Sequence, residues 1–137
     1  MPHDPSLLAE TRAWLLKAAK DLAMAAHDRD ANPPFLEDVV FHSQQAVEKA
    51  LKGFLTWHGV TFRKTHNLVE LGESCVSVDP TLEPLLRSAA PLTEYAWKFR
   101  YPGEPNEPSL QEADDALALA RRVHGVVLSR LPREVRP

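Results

Sequence analysis

The sequence predicts an all-α protein, an up-and-down helical bundle of four long helices plus one short helix. Hydrophobic residues recur with the period of an α-helix along each long segment, and no segment alternates as a strand would. Twelve prolines separate these segments, and proline interrupts a helix interior. Because the predicted connections are short, consecutive helices are expected to pack side by side and antiparallel.

Length and composition predict a single helical domain over residues 1–137, with its core at about residues 6–131. Apolar residues make up 44% and charged residues 26%, which is typical of a soluble globular chain. A formal net charge of −3 gives no overall attraction to nucleic acid, so such binding would need a local basic patch. The single cysteine is compatible with a reducing cytosol, and the acidic N-terminus does not resemble a signal peptide. No apolar run approaches the roughly 20 residues that span a bilayer. The chain is therefore predicted to be cytoplasmic and without membrane contact.

The first predicted helix runs from about Ser6 to Arg29. Its apolar stripe has leucines at intervals of seven, and Asp4 followed by Pro5 is a favourable helix start. The second runs from about Phe35 to His58, where Gly59 is a natural stop. On a helical wheel its apolar side chains form one arc, and a polar face lies opposite, made of His42, Gln45, Lys49, Lys52 and Thr56.

Ser43 and Gln44 are exceptions on the second helix, because the wheel places both inside its apolar arc. A buried amide without partners costs on the order of 1–3 kcal/mol. Gln44 is therefore expected to bond to a neighbouring helix, to a dimer mate or to a ligand.

The remaining segments are predicted from their caps. Thr65 can cap a short helix from His66 to about Cys75, and Asp79 with Pro80 can start a fourth helix that reaches about Arg100. Pro91 is expected to kink this fourth helix. A proline-rich loop over residues 104–108 follows, and then a capping-box pattern at 109–112 starts the last helix, which ends near residue 131.

No strong catalytic motif is present. The chain lacks a phosphate-binding loop, GxGxxG, CxxC and HExxH. His42, His58 and His66 have spacings that do not fit one helical face, so neither a metal site nor a cofactor is predicted. Cys75, a lone cysteine on a short apolar helix, is interpreted as a core residue.

The basic residues have two interpretations. They could be separate solvated charges, since Glu48–Lys52 is a stabilising i,i+4 pair and cations are favourable at a helix C-terminus. They could instead line one phosphate-binding groove, in which Arg100 supplies a fork for phosphate and Tyr101 a ring for stacking. The predicted site residues are Lys49, Lys52, Arg63, Lys64, His66, Arg100 and Tyr101.

Three elements of the sequence together resemble the HEPN domain family. Residues 44–52, QQAVEKALK, resemble its QQAxEKxLK signature. Residues 64–68, KTHNL, resemble a following K-T-H-x-L element, and residues 100–102 resemble an RYP element at the end of the fourth helix. They occur in the family's order and cover nearly the whole chain, about residues 6–131.

The resemblance implies a helical bundle that forms a homodimer and acts with a small nucleotidyltransferase partner in a toxin–antitoxin-like system. It also implies binding of a nucleotide or RNA, and in one branch metal-independent RNA cleavage. That branch uses an arginine, four to six intervening residues and a histidine, whereas no histidine follows Arg100 at this spacing. We therefore expect a binding module without the usual catalytic motif. The alternatives are an endoribonuclease toxin using Arg100 and His66, and a non-catalytic protein-interaction bundle.

Overall fold

The computed structural model describes residues 3–103 and 106–137, and within them all regular secondary structure is helical, as predicted. Glu104 and Pro105, which belong to the predicted proline-rich loop, lie outside the described residues. Five α-helices follow one another: α1 (Pro5–Asp30), α2 (Leu36–Trp57), α3 (Leu68–Val78), α4 (Glu83–Ala89) and α5 (Leu110–Ser129). No helix among the described residues is long and apolar enough to cross a bilayer.

Helix α2 is the centre of the bundle. It packs most extensively against α1 and also contacts α3, α5 and the segment 90–96. Its apolar arc supplies much of the core, including Val40, Val47, Leu51 and Phe54, all essentially inaccessible to solvent. Neighbours therefore cover α2 on several sides, and a polar side chain on this helix must find a partner within the protein.

The predicted helix ends are largely confirmed. The Asp4 carboxylate accepts a hydrogen bond from the Ser6 amide at 2.9 Å, and Pro5 occupies the first helical position of α1. The hydroxyl of Ser109 accepts from the Glu112 amide at 3.0 Å and caps α5. Gly59 has φ +70°, a left-handed conformation that favours glycine, so it ends α2 as expected.

Helix α3 begins two residues later than predicted. Its cap is Asn67, whose side-chain oxygen accepts from the amides of Val69 and Glu70 at 2.9 and 3.3 Å. Thr65 instead accepts from the Asn67 amide at 3.0 Å and shapes the turn before the helix. His66 therefore lies in the loop between α2 and α3 rather than in the first turn of α3.

The segment predicted as a kinked fourth helix is divided into three short pieces. A 3-10 turn at Pro80–Leu82 leads into α4, and a 3-10 segment at Ala90–Ala96 follows it. Pro91 has no amide hydrogen to continue the α-helical bonding, so α4 ends at Ala89. Beyond the 3-10 segment Phe99 adopts φ 69°, which for a bulky residue costs about 1–3 kcal/mol.

Candidate phosphate-binding site

A buried ion pair between Glu48 and Lys52 lies at the middle of α2. Lys52 Nζ is 3.1 Å from Glu48 Oε2, and the side chains are only 8% and 4% exposed. The ammonium also lies over the rings of Trp14 and Phe62, at 5.5 and 5.9 Å from their centroids. The wheel placed Lys52 on the polar face of the helix, where solvent was expected; this was wrong, because Trp14 of α1 and Phe62 of the loop after α2 cover it.

The other oxygen of Glu48 holds an exposed imidazole. His66 Nδ1 lies 2.7 Å from Glu48 Oε1, and the His66 side chain is 63% exposed. Since an ionised carboxylate can only accept, Nδ1 carries the hydrogen and Nε2 of the neutral ring is left with its lone pair. The buried carboxylate thus fixes both the tautomer and the direction of a solvent-facing base, an arrangement found in acid–base sites.

Gln44 and Ser43 are fully buried, as the wheel predicted. The Gln44 amide group donates to the backbone oxygen of His66 at 3.1 Å and to Glu48 Oε1 at 3.3 Å. Its own oxygen accepts from Gln45 at 2.7 Å. Among the described residues, Gln44 thus bonds to the loop after α2 and to two side chains of its own helix, rather than to a neighbouring helix, and it helps to hold His66 in place. The Ser43 hydroxyl donates to the Val39 carbonyl oxygen of its own helix at 2.7 Å.

Lys49 belongs to a different cluster, on the side of α2 that faces α1. Its ammonium is 2.6 Å from one oxygen of Asp21, and His42 Nδ1 is 2.9 Å from the other. Burial by itself would raise the pKa of Asp21, but hydrogen bonds from His42 and Lys49 outweigh it and lower the pKa below the usual value. Asp21 is therefore an anion at neutral pH that neutralises Lys49.

The basic turn before α3 is exposed. Arg63 Nε lies 2.6 Å from Glu70 Oε1, and this ion pair is largely open to solvent. The hydrogen bond that Arg63 donates to the Glu70 carboxylate raises the pKa of Arg63. Lys64 is exposed and forms no ion pair with any residue that the structure describes. Of these two cations, Lys64 is the one available to an external anion.

Arg100 returns to α2 from the turn at Phe99. Its guanidinium carbon lies 3.6 Å from the centre of the Phe41 ring, and Nη1 is 3.9 Å from Asp38 Oδ1. Stacking on Phe41 fixes the plane of the guanidinium, and the Arg100 side chain is 35% exposed. Tyr101 follows and is 67% exposed.

Arg100 and His66 lie along the same stripe of α2. Phe41, which supports Arg100, and Glu48, which supports His66, are seven residues apart, or two helical turns. The two supports are therefore separated by about 10 Å along the helix axis. Helix geometry therefore places the residues that support Arg100 and His66 on one side of α2, and we call the surface formed by Arg100, Phe41, Glu48 and His66 the Arg100–His66 stripe. The structure separates this stripe from Lys49, which faces α1.

The residues missed by sequence reasoning are two carboxylates, Asp21 and Glu48. Neither was predicted as a site residue, and Glu48 was considered only as an i,i+4 partner of Lys52. Their signal in the sequence was the presence of Asp and Glu among apolar neighbours, which by itself does not reveal burial. No group of histidine, cysteine and acidic side chains suited to a metal ion occurs among the described residues.

Comparison with known proteins gives one match. The HEPN domain family matches residues 11–131 of the chain. No curated protein and no solved structure shows significant similarity to it.

Proposed function

Since this chain belongs to the HEPN domain family, whose members have nucleotide- or RNA-related functions, we propose that it binds the phosphates of RNA or a nucleotide along the Arg100–His66 stripe. Arg100 supplies a charged fork to phosphate, Tyr101 offers a ring to a base, and Lys64 adds charge beside His66. The protein acts as a homodimer with a nucleotidyltransferase partner in a toxin–antitoxin-like system.

One observation carries the proposal: among the cations predicted for the site, Arg100 and Lys64 have no close carboxylate partner in the described part of the chain, whereas Lys49, Lys52 and Arg63 do. Arg100 stacks on Phe41 and has only a 3.9 Å contact to Asp38. By contrast Lys49 and Lys52 hold buried carboxylates at 2.6 and 3.1 Å. A phosphate would have to break those pairs to reach Lys49 or Lys52, so both are assigned a role in the fold.

Binding to a short fluorescein-labelled single-stranded RNA, followed by fluorescence anisotropy, tests the proposal. Arg100→Ala should weaken binding and reduce the dependence of log K on log salt by about 0.7, the value for one phosphate contact on a single strand. Tyr101→Ala should lower affinity about tenfold, since stacking is worth about 1–3 kcal/mol, whereas Tyr101→Phe should keep it. Arg122→Ala is the matched control, because Arg122 is an exposed arginine on α5. Equal affinity for the Arg100 and Arg122 variants would contradict the site.

A second candidate, RNA cleavage, is favoured by the Glu48–His66 pair. With Nδ1 bonded to Glu48, Nε2 of the largely exposed His66 side chain would accept the proton of a ribose 2′-hydroxyl as that oxygen bonds to the adjacent phosphorus. The bond from phosphorus to the 5′-oxygen breaks, the leaving oxygen takes a proton from water, and Arg100 would offset charge that develops on the phosphate. Labelled RNA incubated with the parent protein should then be cut without added metal, and His66→Gln should abolish the cut. RNA that stays intact with the parent, while binding depends on Arg100, would leave only the binding function.

A further inference from the structure

A second histidine, His42 on α2, is held in the same way as His66. Its Nδ1 lies 2.9 Å from one oxygen of Asp21, a buried carboxylate whose other oxygen lies 2.6 Å from the ammonium of Lys49. The Glu48–His66 pair has the same arrangement, with a lysine on the second carboxylate oxygen. Since the anionic Asp21 accepts the hydrogen of Nδ1, Nε2 is the nitrogen through which His42 can exchange a proton with a ligand.

One phenylalanine ring connects His42 to Arg100. The centres of the Phe41 and His42 rings are 5.2 Å apart, in an edge-to-face arrangement, and the guanidinium of Arg100 stacks on Phe41 at 3.6 Å. Viewed along α2, with about 100° between consecutive residues, four side chains follow one another in the order Glu48, Phe41, Asp38 and His42. Arg100 contacts the middle two, so it lies between His42 and the histidine that Glu48 holds.

A surface groove opens beside His42, where α1 and α2 meet. Its volume is about 500 Å³, within the range of small-molecule sites, and its other lining residues are Ala23, Met24, His27 and Asp28. Ala23 and Met24 are exposed and form an apolar wall. The His42 side chain is 20% exposed. Because its Nδ1 is bonded to a buried carboxylate, Nε2 is the nitrogen available to a molecule in this groove.

We propose that His42 is the general acid of the RNA cleavage described above, and that the groove beside it holds the nucleoside on the leaving side of the cleaved phosphate. This inference rests on the proposed function, in which His66 takes the proton of the 2′-hydroxyl. In an in-line displacement the attacking and leaving oxygens lie on opposite sides of phosphorus. The base and the acid must therefore flank the cation that holds the phosphate, and His66 and His42 flank Arg100 in this way.

The proposal replaces water by His42 as the proton donor. The 2′-oxygen bonds to phosphorus while His66 takes its proton, and the bond from phosphorus to the 5′-oxygen breaks while Nε2 of the protonated His42 gives its proton to that oxygen. The products are a 2′,3′-cyclic phosphate and a free 5′-hydroxyl. Exchange with water then removes the proton from His66 and returns one to His42. Asp21 is a positioning residue, because it fixes the ring through Nδ1.

Two uridine 3′-phosphodiesters with different leaving groups test the proposal with the full chain. Adenosine leaves from the dinucleotide UpA and needs a proton, whereas 4-nitrophenolate leaves from uridine 3′-(4-nitrophenyl phosphate) without one. His42→Gln keeps an amide donor for Asp21 and should lower kcat for UpA about 100-fold, with kcat for the nitrophenyl ester and KM for both nearly unchanged. His66→Gln should lower kcat for both esters. His58→Gln is the matched control, because His58 is exposed at the end of α2.

Several outcomes would overturn the proposal. Equal losses on the two esters in the His42 variant would mean that His42 only supports the fold. Cleavage of UpA that needs His66 but is unaffected by His42→Gln would leave the proposed function standing without this acid. A parent protein that cuts neither ester would remove RNA cleavage and this inference together.

Should His42→Gln fail to fold, Ala23→Trp tests the groove instead, since Ala23 is exposed on its wall. The tryptophan should raise KM for UpA about tenfold. It should leave inhibition by uridine 3′-phosphate unchanged, because that molecule lacks the leaving nucleoside. An unchanged KM for UpA would contradict the placement of the leaving nucleoside in the groove.

Discussion

Replacing Glu48 by glutamine should destabilise the protein by about 3 kcal/mol, because Lys52 would then be a buried cation without a counter-charge. Breaking a buried ion pair from one side costs about 3–5 kcal/mol. The pair is more than nine-tenths buried on both sides, so solvent screening does not reduce this figure. The lower end applies because the Trp14 and Phe62 rings still attract the ammonium and glutamine can still accept a hydrogen bond.

Urea unfolding at neutral pH, followed by circular dichroism, measures this loss, and the thermal midpoint should fall by about 12 °C. Glu83→Gln is the matched control. It removes the same charge from another i,i+4 pair, with Arg87, but there both side chains are well exposed. That control should cost less than about 1 kcal/mol.

A double-mutant cycle separates the ion pair from other effects. Lys52→Met together with Glu48→Gln removes both charges and leaves similar volumes, so the double variant should recover about 2 kcal/mol relative to the sum of the single changes. Two results would refute the reasoning. One is a Glu48→Gln variant within about 0.5 kcal/mol of the parent, and the other is strict additivity in the cycle.

The remaining predictions concern other groups. Burial lowers the pKa of His124, so the unfolded chain takes up a proton at a higher pH than the folded protein does. The unfolding free energy should therefore fall as pH drops below about 6.5. His124→Gln should reduce that fall, as measured by urea titrations at several pH values. Asp21→Asn should lower the unfolding free energy by about 2–3 kcal/mol at neutral pH. In the parent, the contribution of Asp21 to the unfolding free energy is present above about pH 4 and is lost as pH falls through its lowered pKa, so the same urea titrations should show that the variant lacks this pH dependence. Burial raises the pKa of the Cys75 thiol to about 12, so a thiol reagent should react only at the rate of unfolding, and rapid labelling of the native protein would contradict this. Ser109→Ala should cost about 1 kcal/mol by removing the cap of α5, whereas Ser109→Asp should keep it.

The sequence was sufficient for features that depend on residues close together in the chain. Helical periodicity predicted the fold class, and the caps at Asp4 and Ser109 were visible because a cap bonds to amides two or three residues away. Gly59 was also identified as the end of α2, because the left-handed conformation that ends a helix favours glycine at that single position. The wheel also placed Ser43 and Gln44 correctly in the core, since helical geometry alone sets which face they share with the apolar arc.

Only the tertiary structure showed that Lys49 and Lys52 are neutralised by carboxylates and that Lys52 is buried. A wheel compares residues on one helix, whereas the carboxylate that neutralises Lys49 belongs to Asp21, 28 residues earlier on α1. Lys52 is buried because the chain after α2 brings Phe62 over it. Burial of a charge depends on which distant segments cover it, and no local pattern encodes that. The same folding brings His66 to Glu48, across 18 residues, and so forms the candidate site.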